Sequence, residues 1–395
     1  MRILFLSPRQ CWPALSGAKL REFHLARALS RWAELTYVYF ADAGDQPLTS
    51  SDLPFAAHIV AVPKPPAYSS WKLVRGIAGR WPLSVLNYMS PQMAAALVRL
   101  DTPYDLVHLD SIHMLRYEET LGRPRVIYNW HNIESEAMRR YAEITPSTVR
   151  RVYANLTAGK LEGLEREILS RAFGHIVCSE REREQLHRIA PSARIQVIEN
   201  GVDCANFAGL NMELRRNRIV FVGKMDYPAN IEAIVRFAHT VWPVIRSQMK
   251  DLTLSIVGSC PTAAVESLAN LPGVEVTGTV PDVRPHYRDA LAAVVPLRTG
   301  GGTRLKILEA MAAGVPVISS TLGAEGLTVT PDSDILISEP DDPQSWVRNL
   351  TGLAQSEERR TQITARALQL VKARYDWSTL GQSVVDTYEG WLRNA

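Results

Sequence analysis

The chain has 395 residues, 46% of them hydrophobic and 22% charged, with 44 Lys and Arg against 41 Asp and Glu for a formal net charge of +3. This length exceeds what one hydrophobic core organises, so two domains of roughly 150–200 residues are expected, and the small net charge without any Lys/Arg block argues against a nucleic-acid binder. Four dispersed cysteines, Cys11, Cys178, Cys204 and Cys260, lack the spacing of a zinc site or a disulfide framework, so a reducing cytoplasm is the expected location.

In chain order, short apolar runs alternate with helical patterns, the signature of parallel sheets covered by helices. Residues 3–6 (Ile-Leu-Phe-Leu) are too short for the apolar core of a signal peptide and read as a buried first strand. Nowhere does the chain approach the ~20 apolar residues of a membrane span. The spacing predicts a helix over 17–29 with Leu20, Phe23, Leu25, Ala28 and Leu29 inward, strands at 35–40, 58–62, 106–109, 126–130 and 175–178, and a long helix within 146–172. Between them, residues 71–81 combine apolar Val74, Ile77, Ala78 and Trp81 with Lys72, Arg75 and Arg80. That pattern suits a helix lying on an anionic membrane, and equally one packed on the core.

Asn200-Gly-Val-Asp203 and the polar stretch 211–217 mark the expected boundary. A second series follows: strands at 218–222, 252–257, 274–277, 292–297 and 315–319, helices at 230–242 and 305–313, and a helical end carrying Tyr375, Trp377, Tyr388 and Trp391. The expected organisation is a first Rossmann-like domain over 1–203, a second over 204–374, and a helix at 375–395 returning to the first. Residues 1–205 carry 25 Lys/Arg against 21 Asp/Glu, and the remainder 19 against 20. The first half is therefore the more cationic.

The most informative segment runs from Arg298 through Gly300-Gly-Gly-Thr-Arg-Leu-Lys-Ile-Leu-Glu309 to Thr321. Gly300, Gly301 and Gly302 permit close backbone approach, Thr303 follows them, and the free amides at the start of a helix favour anions. Arg304 and Lys306 at that helix start are stabilised by a bound anion, and a diphosphate suits them. Glu309, three residues past Lys306, can accept two hydrogen bonds from a ribose diol; the alternative is an i,i+3 ion pair with Lys306. In the first half, His131 and Asp110 follow strands, where they could face a substrate; helix capping is the alternative for Asp110. Asp110 or His113 could orient an acceptor hydroxyl.

Residues 300–321, and above all Leu308-Glu-Ala-Met-Ala-Ala-Gly-Val-Pro-Val, resemble the donor segment of family 4 retaining glycosyltransferases of the GT-B fold. Asn200-Gly-Val-Asp, Phe221-Val-Gly-Lys-Met-Asp-Tyr and Val177-Cys-Ser-Glu are similar to other segments of that family. The resemblance implies two doubly wound domains facing a cleft, and sugar transfer with retention from a nucleoside diphosphate sugar to a glycan, lipid-linked or small-molecule acceptor. No metal is obligatory in that family. It also implies that Glu309 holds the ribose, that Arg304 and Lys306 neutralise the leaving diphosphate, that His131 contacts the donor sugar, and that the turn at Gly17 approaches the diphosphate.

Two positions depart from the family pattern. Gly301 stands where many members carry a first glutamate, and the loop after residue 222, usually bearing Arg and Lys, has Lys224 and then Asn230. The phosphate charge is therefore expected on Arg304 and Lys306, with Lys224 assisting. Competing readings are a sugar-nucleotide epimerase of the same architecture and a non-catalytic sugar-nucleotide-binding protein. A dinucleotide oxidoreductase is disfavoured because Ser7-Pro-Arg-Gln10 lacks the glycine fingerprint.

Overall fold

The computed structural model describes residues 1–67, 69–100, 103–122, 125–208, 210, 217–288, 290–300 and 304–394. Gly301, Gly302 and Thr303, named above as donor-binding residues, lie outside them, as does most of the polar stretch 211–217. By contacts the chain divides into one unit of Met1–Glu199 with Leu380–Ala395, and a second of Asn200–Thr379.

The first unit holds a seven-stranded parallel sheet. Its strands are β1 (Arg2–Ser7), β2 (Glu34–Ala41), β3 (His58–Pro63), β4 (Leu106–Leu109), β5 (Val126–Asn129), β6 (Gly174–Val177) and β7 (Ile195–Val197), in the order β3-β2-β1-β4-β5-β6-β7. β1 is buried along all but its first residue, as a central strand covered by helices on both faces must be. It pairs in parallel with β2 and β4, so the order reverses between β1 and β4. Loops leaving the carboxyl ends there run apart and open a crevice, the usual ligand position in such sheets. The last helix contributes here too: a Cβ on Gly174 in β6 would lie 2.3 Å from the Trp391 ring, so only glycine lets that indole lie flat on the strand.

The second unit holds a six-stranded parallel sheet of β8 (Arg218–Val222), β9 (Thr253–Val257), β10 (Val274–Gly278), β11 (Ala290–Val295), β12 (Val317–Ser319) and β13 (Leu336–Ile337), ordered β10-β9-β8-β11-β12-β13. Its switch point lies between β8 and β11.

The structure departs from the sequence reading in ways that proline and burial explain. β11 stops at Val295 rather than reaching 297, and β12 starts at Val317 rather than 315, because Pro296 and Pro316 have no N–H to give a ladder. The helix expected over 230–242 is Pro228–Arg236, a π turn Phe237–Val241, and a further helix Trp242–Gln248. Pro243 cannot donate to the carbonyl four residues back, and the chain inserts a wider turn there. In helix Gly17–Ser30, Arg21, Glu22 and His24 are buried, whereas Leu20 and Phe23 are half-buried. β7 and β13 were not anticipated; runs of three and two residues are too short to show a period.

Candidate functional site

At the switch point of the second sheet, β8 runs into Gly223, whose N–H donates to the Val257 carbonyl at 3.0 Å. Beside it, Asn230 on helix Pro228–Arg236 donates Nδ2 to the Lys224 carbonyl at 2.8 Å. Lys306, on helix Leu305–Ala312, donates Nζ to Asn230 Oδ1 at 2.7 Å, with the ammonium 4.5 Å from the centre of the Phe221 ring. A Cβ on Gly223 would meet Asn230 Nδ2 at 2.8 Å and Lys306 Nζ at 3.0 Å, so glycine is what admits the lysine to this corner. Burial, and then the charge of Arg304, push the Lys306 ammonium down to about 7, with Glu309 opposing.

Glu309 is half-buried, and burial raises its carboxyl above the usual range while Lys306 counteracts. The i,i+3 ion pair that the sequence allowed does not form, since Lys306 reaches Asn230 instead. Arg304 is buried, at 5% exposure, and its Nη2 donates to the carbonyls of Gly300 at 2.9 Å and Leu322 at 3.3 Å. It braces Gly300, whose φ of +105° is a conformation that favours glycine. Lys224 is exposed and pairs with Asp226 at 2.9 Å.

At the switch point of the first sheet, Asp110 follows β4 and is fully buried. Its alternative reading as a helix cap does not hold: Ser111 caps the short turn Ile112–Met114, and Asp110 accepts from side chains. Asn129 Nδ2 donates to Oδ1 at 2.6 Å, and His131 Nε2 lies 2.9 Å from Oδ2. Burial opposes ionisation of Asp110, yet His131 together with His108, 3.6 Å away, holds its carboxyl well below the usual range. An ionised carboxylate only accepts, so Nε2 of His131 carries a proton, and in the neutral imidazole Nδ1 is the acceptor.

The surrounding groups were not anticipated. Arg21 donates Nε to Asn129 Oδ1 at 2.9 Å and Nη1 to the Ile198 carbonyl at 2.6 Å, fixing the Asn129 amide so that its NH2 faces Asp110. His108, beneath, bonds through Nδ1 to Tyr388 Oη at 2.7 Å. Glu22 accepts from Ser7 and Tyr37, and burial raises its carboxyl well above the ordinary value. His113 bonds to Ser111 Oγ at 2.7 Å and is pushed down to about 4 by burial and then by Arg9. Hydrophobic periodicity could not have found Arg21, Glu22 or His108, because it registers only apolar faces. Gly17 opens helix Gly17–Ser30, whose start is capped by Ser16 Oγ accepting from Lys19 N.

The segment 71–81 forms helix Ser70–Ala78. Trp71, Val74 and Ile77 are 68%, 58% and 49% exposed, which removes the alternative of a helix packed by that face on the core. Trp81 lies beyond the helix, half-buried, with the guanidiniums of Arg80 and Arg116 at 5.0 and 4.9 Å from its ring. Lys160 ties the helix end to helix Thr148–Arg171 by donating to the carbonyls of Gly76, Ile77 and Gly79. On that second helix Val149, Val152 and Leu156 are also exposed. Among the described residues no helix is long and apolar enough to cross a membrane.

Among solved structures, the chain is similar over its whole length to sucrose-phosphate synthase from Thermosynechococcus elongatus, with TM-score 0.71, 19% identity and all of that chain covered. It is also similar to Alr3699/HepE from Anabaena, solved with UDP, with TM-score 0.67, 15% identity and coverage of 99% of this chain and 100% of that one. At those identities the likeness establishes the fold. Among curated sequences it is similar to a phosphatidyl-myo-inositol mannosyltransferase of Mycolicibacterium smegmatis, 28% identical over 60% of this chain and 62% of that protein. A D-inositol 3-phosphate glycosyltransferase of Salinispora tropica is 25% identical over 50% and 46%. These matches span less than two thirds of the relatives' own length. Residues 16–206 match the family model for Glycosyltransferase Family 4, and residues 216–356 that for Glycosyl transferases group 1. With both halves matched in order and two Rossmann-like sheets beneath them, the chain belongs to the group 1, family 4 glycosyltransferases.

Proposed function

We propose that this chain moves a sugar from a nucleoside diphosphate sugar to an acceptor hydroxyl with retention of anomeric configuration, the second unit holding the donor and the first handling the acceptor. The observation that carries this reading is Lys306: an ammonium with three N–H donors whose one hydrogen-bond partner among the described residues is a neutral amide. Burying a cation without an anion is costly, and a diphosphate offsets that cost. Glu309, with no hydrogen bond or ion pair among the described residues, is assigned to the ribose diol. Arg304 holds the Gly300 carbonyl and adds long-range positive charge, and Lys224 is a peripheral member; Gly301, Gly302 and Thr303 lie outside the described residues. In transfer, the bond from the anomeric carbon to the diphosphate breaks and one to the acceptor oxygen forms on the same face, with the acceptor proton passing to the departing diphosphate. Lys306 stabilises the charge that develops there, and no resident metal is assigned to the step. His131, fixed by Asp110, orients a hydroxyl through Nδ1.

Calorimetric titration with UDP, GDP and ADP, followed by product NMR for anomeric configuration, tests this. Binding of one nucleotide and turnover only with acceptor present are expected. Turnover of the donor alone would favour the epimerase reading, and binding without turnover over a broad acceptor panel a sensor.

The acceptor is proposed to be lipid-linked or a growing polysaccharide met at an anionic membrane. Trp71, Val74 and Ile77 form an exposed apolar face flanked by Arg75 and Lys72, and relatives are named for transfer to phosphatidyl-myo-inositol. Interfacial apolar helices with basic flanks bind such surfaces. Sedimentation with anionic liposomes that falls with salt and is lost in Trp71→Ser/Ile77→Ser is the expected result. Equal sedimentation of both proteins would instead leave a small soluble acceptor.

A further inference from the structure

The corner that Gly223 opens contains a residue the donor reading does not yet use. Asn230 is buried, at 6% exposure, and joins two partners that each fix its orientation: the Lys224 carbonyl only accepts, and the Lys306 ammonium only donates. Its amide therefore presents Oδ1 to the lysine, and a flip would set donor against donor. Helix Pro228–Arg236, the β8 loop and helix Leu305–Ala312 are stitched at this point by one side chain.

We propose that Asn230 is the positioning residue for Lys306, holding its ammonium at the β8/β11 switch point with a neutral acceptor so that its charge remains available to a diphosphate. This rests on the reading of that corner as the donor site. A carboxylate at the same place would hold the lysine equally well but neutralise it. An apolar side chain would release it, and a freed lysine loses the orientation that makes a single charge effective. The neutral amide is thus the one chemistry that fixes the cation without pairing it.

The groups facing Lys306 are Arg304 and Glu309 from its own segment, Asn230 from helix Pro228–Arg236, and the Phe221 ring of β8. Among the described residues no carboxylate is in contact with the ammonium, and burial lowers its proton affinity to about 7. An anion that pairs with it raises that affinity again, so diphosphate affinity is full below about pH 7 and falls as pH rises, by up to tenfold per unit.

The experiment is calorimetric titration of the full chain with UDP and GDP between pH 7 and 9, for wild type, Asn230→Asp, Asn230→Ala and Lys306→Met. Folding of each variant is checked by its melting transition. Asn230→Asp, which keeps the shape, is expected to bind the preferred nucleotide at least tenfold more weakly at pH 7, with the fall above pH 7 abolished because the new carboxylate keeps Lys306 protonated. Asn230→Ala should weaken binding severalfold and likewise flatten the profile as the lysine returns to solvent. A merely structural role would weaken binding without altering its pH dependence. Wild-type affinity and profile in Asn230→Asp, with binding lost in Lys306→Met, would overturn the positioning role alone. Wild-type nucleotide binding in Lys306→Met would sink the donor-site reading beneath it.

Discussion

The carboxyl edges of the two sheets are built on opposite plans. At the first, Asn129, His131 and Arg21 form one hydrogen-bonded network around the buried Asp110, with His108, itself bonded to Tyr388, 3.6 Å from the carboxylate. At the second, glycines clear the backbone away, and Lys306 and Glu309 stand close without pairing. A network of mutual hydrogen bonds orients one side chain, here His131, and contributes to stability. An edge left open is held at some cost to stability and binds what completes it.

That contrast is tested most severely at Lys306. Lys306→Met should lower transfer activity by about 10²–10³-fold, the usual loss when one group that stabilises developing charge is removed. It should leave the melting temperature unchanged or raised, because an apolar side chain replaces a half-buried cation. A melting temperature that falls by several degrees would make the second edge a structural network like the first.

Asp110→Asn should do the reverse, costing about 3 kcal/mol of stability through hydrogen bonds to a charged group. Since the folded carboxyl ionises well below its unfolded value of about 4, its contribution is complete above that pH and lost as pH falls below it. Urea unfolding between pH 7 and 2.5 should therefore show a shallower acid decline for the variant than for wild type. Parallel declines would mean that Asp110 is not held ionised by its neighbours.

Glu309→Ala should weaken nucleotide binding by about 1.5–3 kcal/mol, the worth of hydrogen bonds to a charged acceptor, with little change in folding. Titration calorimetry against the matching 2′-deoxynucleotide sharpens this, since wild type should lose affinity for the deoxy ligand and the variant should not discriminate. The smallest effect is expected for Tyr388→Phe, which removes one bond to His108 and should cost about 1 kcal/mol. A larger loss, read by the same urea unfolding, would show that the network reaches His131 through His108.

Much of this protein was determined by its sequence alone. Alternation of apolar runs with helical patterns placed most strands of both sheets to within two residues, because strands buried on both faces must be continuously apolar. The segment around Gly300, Lys306 and Glu309 was legible because glycine, charge and a helix start coincide within ten residues. What only the tertiary structure decided are the partners. Asn230 read simply as a missing cation until Lys306, 76 positions away, was seen to rest on it. Asp110 admitted both a substrate-facing role and a cap until Asn129 and His131 came alongside from the neighbouring strand. A hydrogen bond depends on where two groups meet in space, whereas local periodicity reports only which faces are dry; the chain's chemistry lies in those meetings.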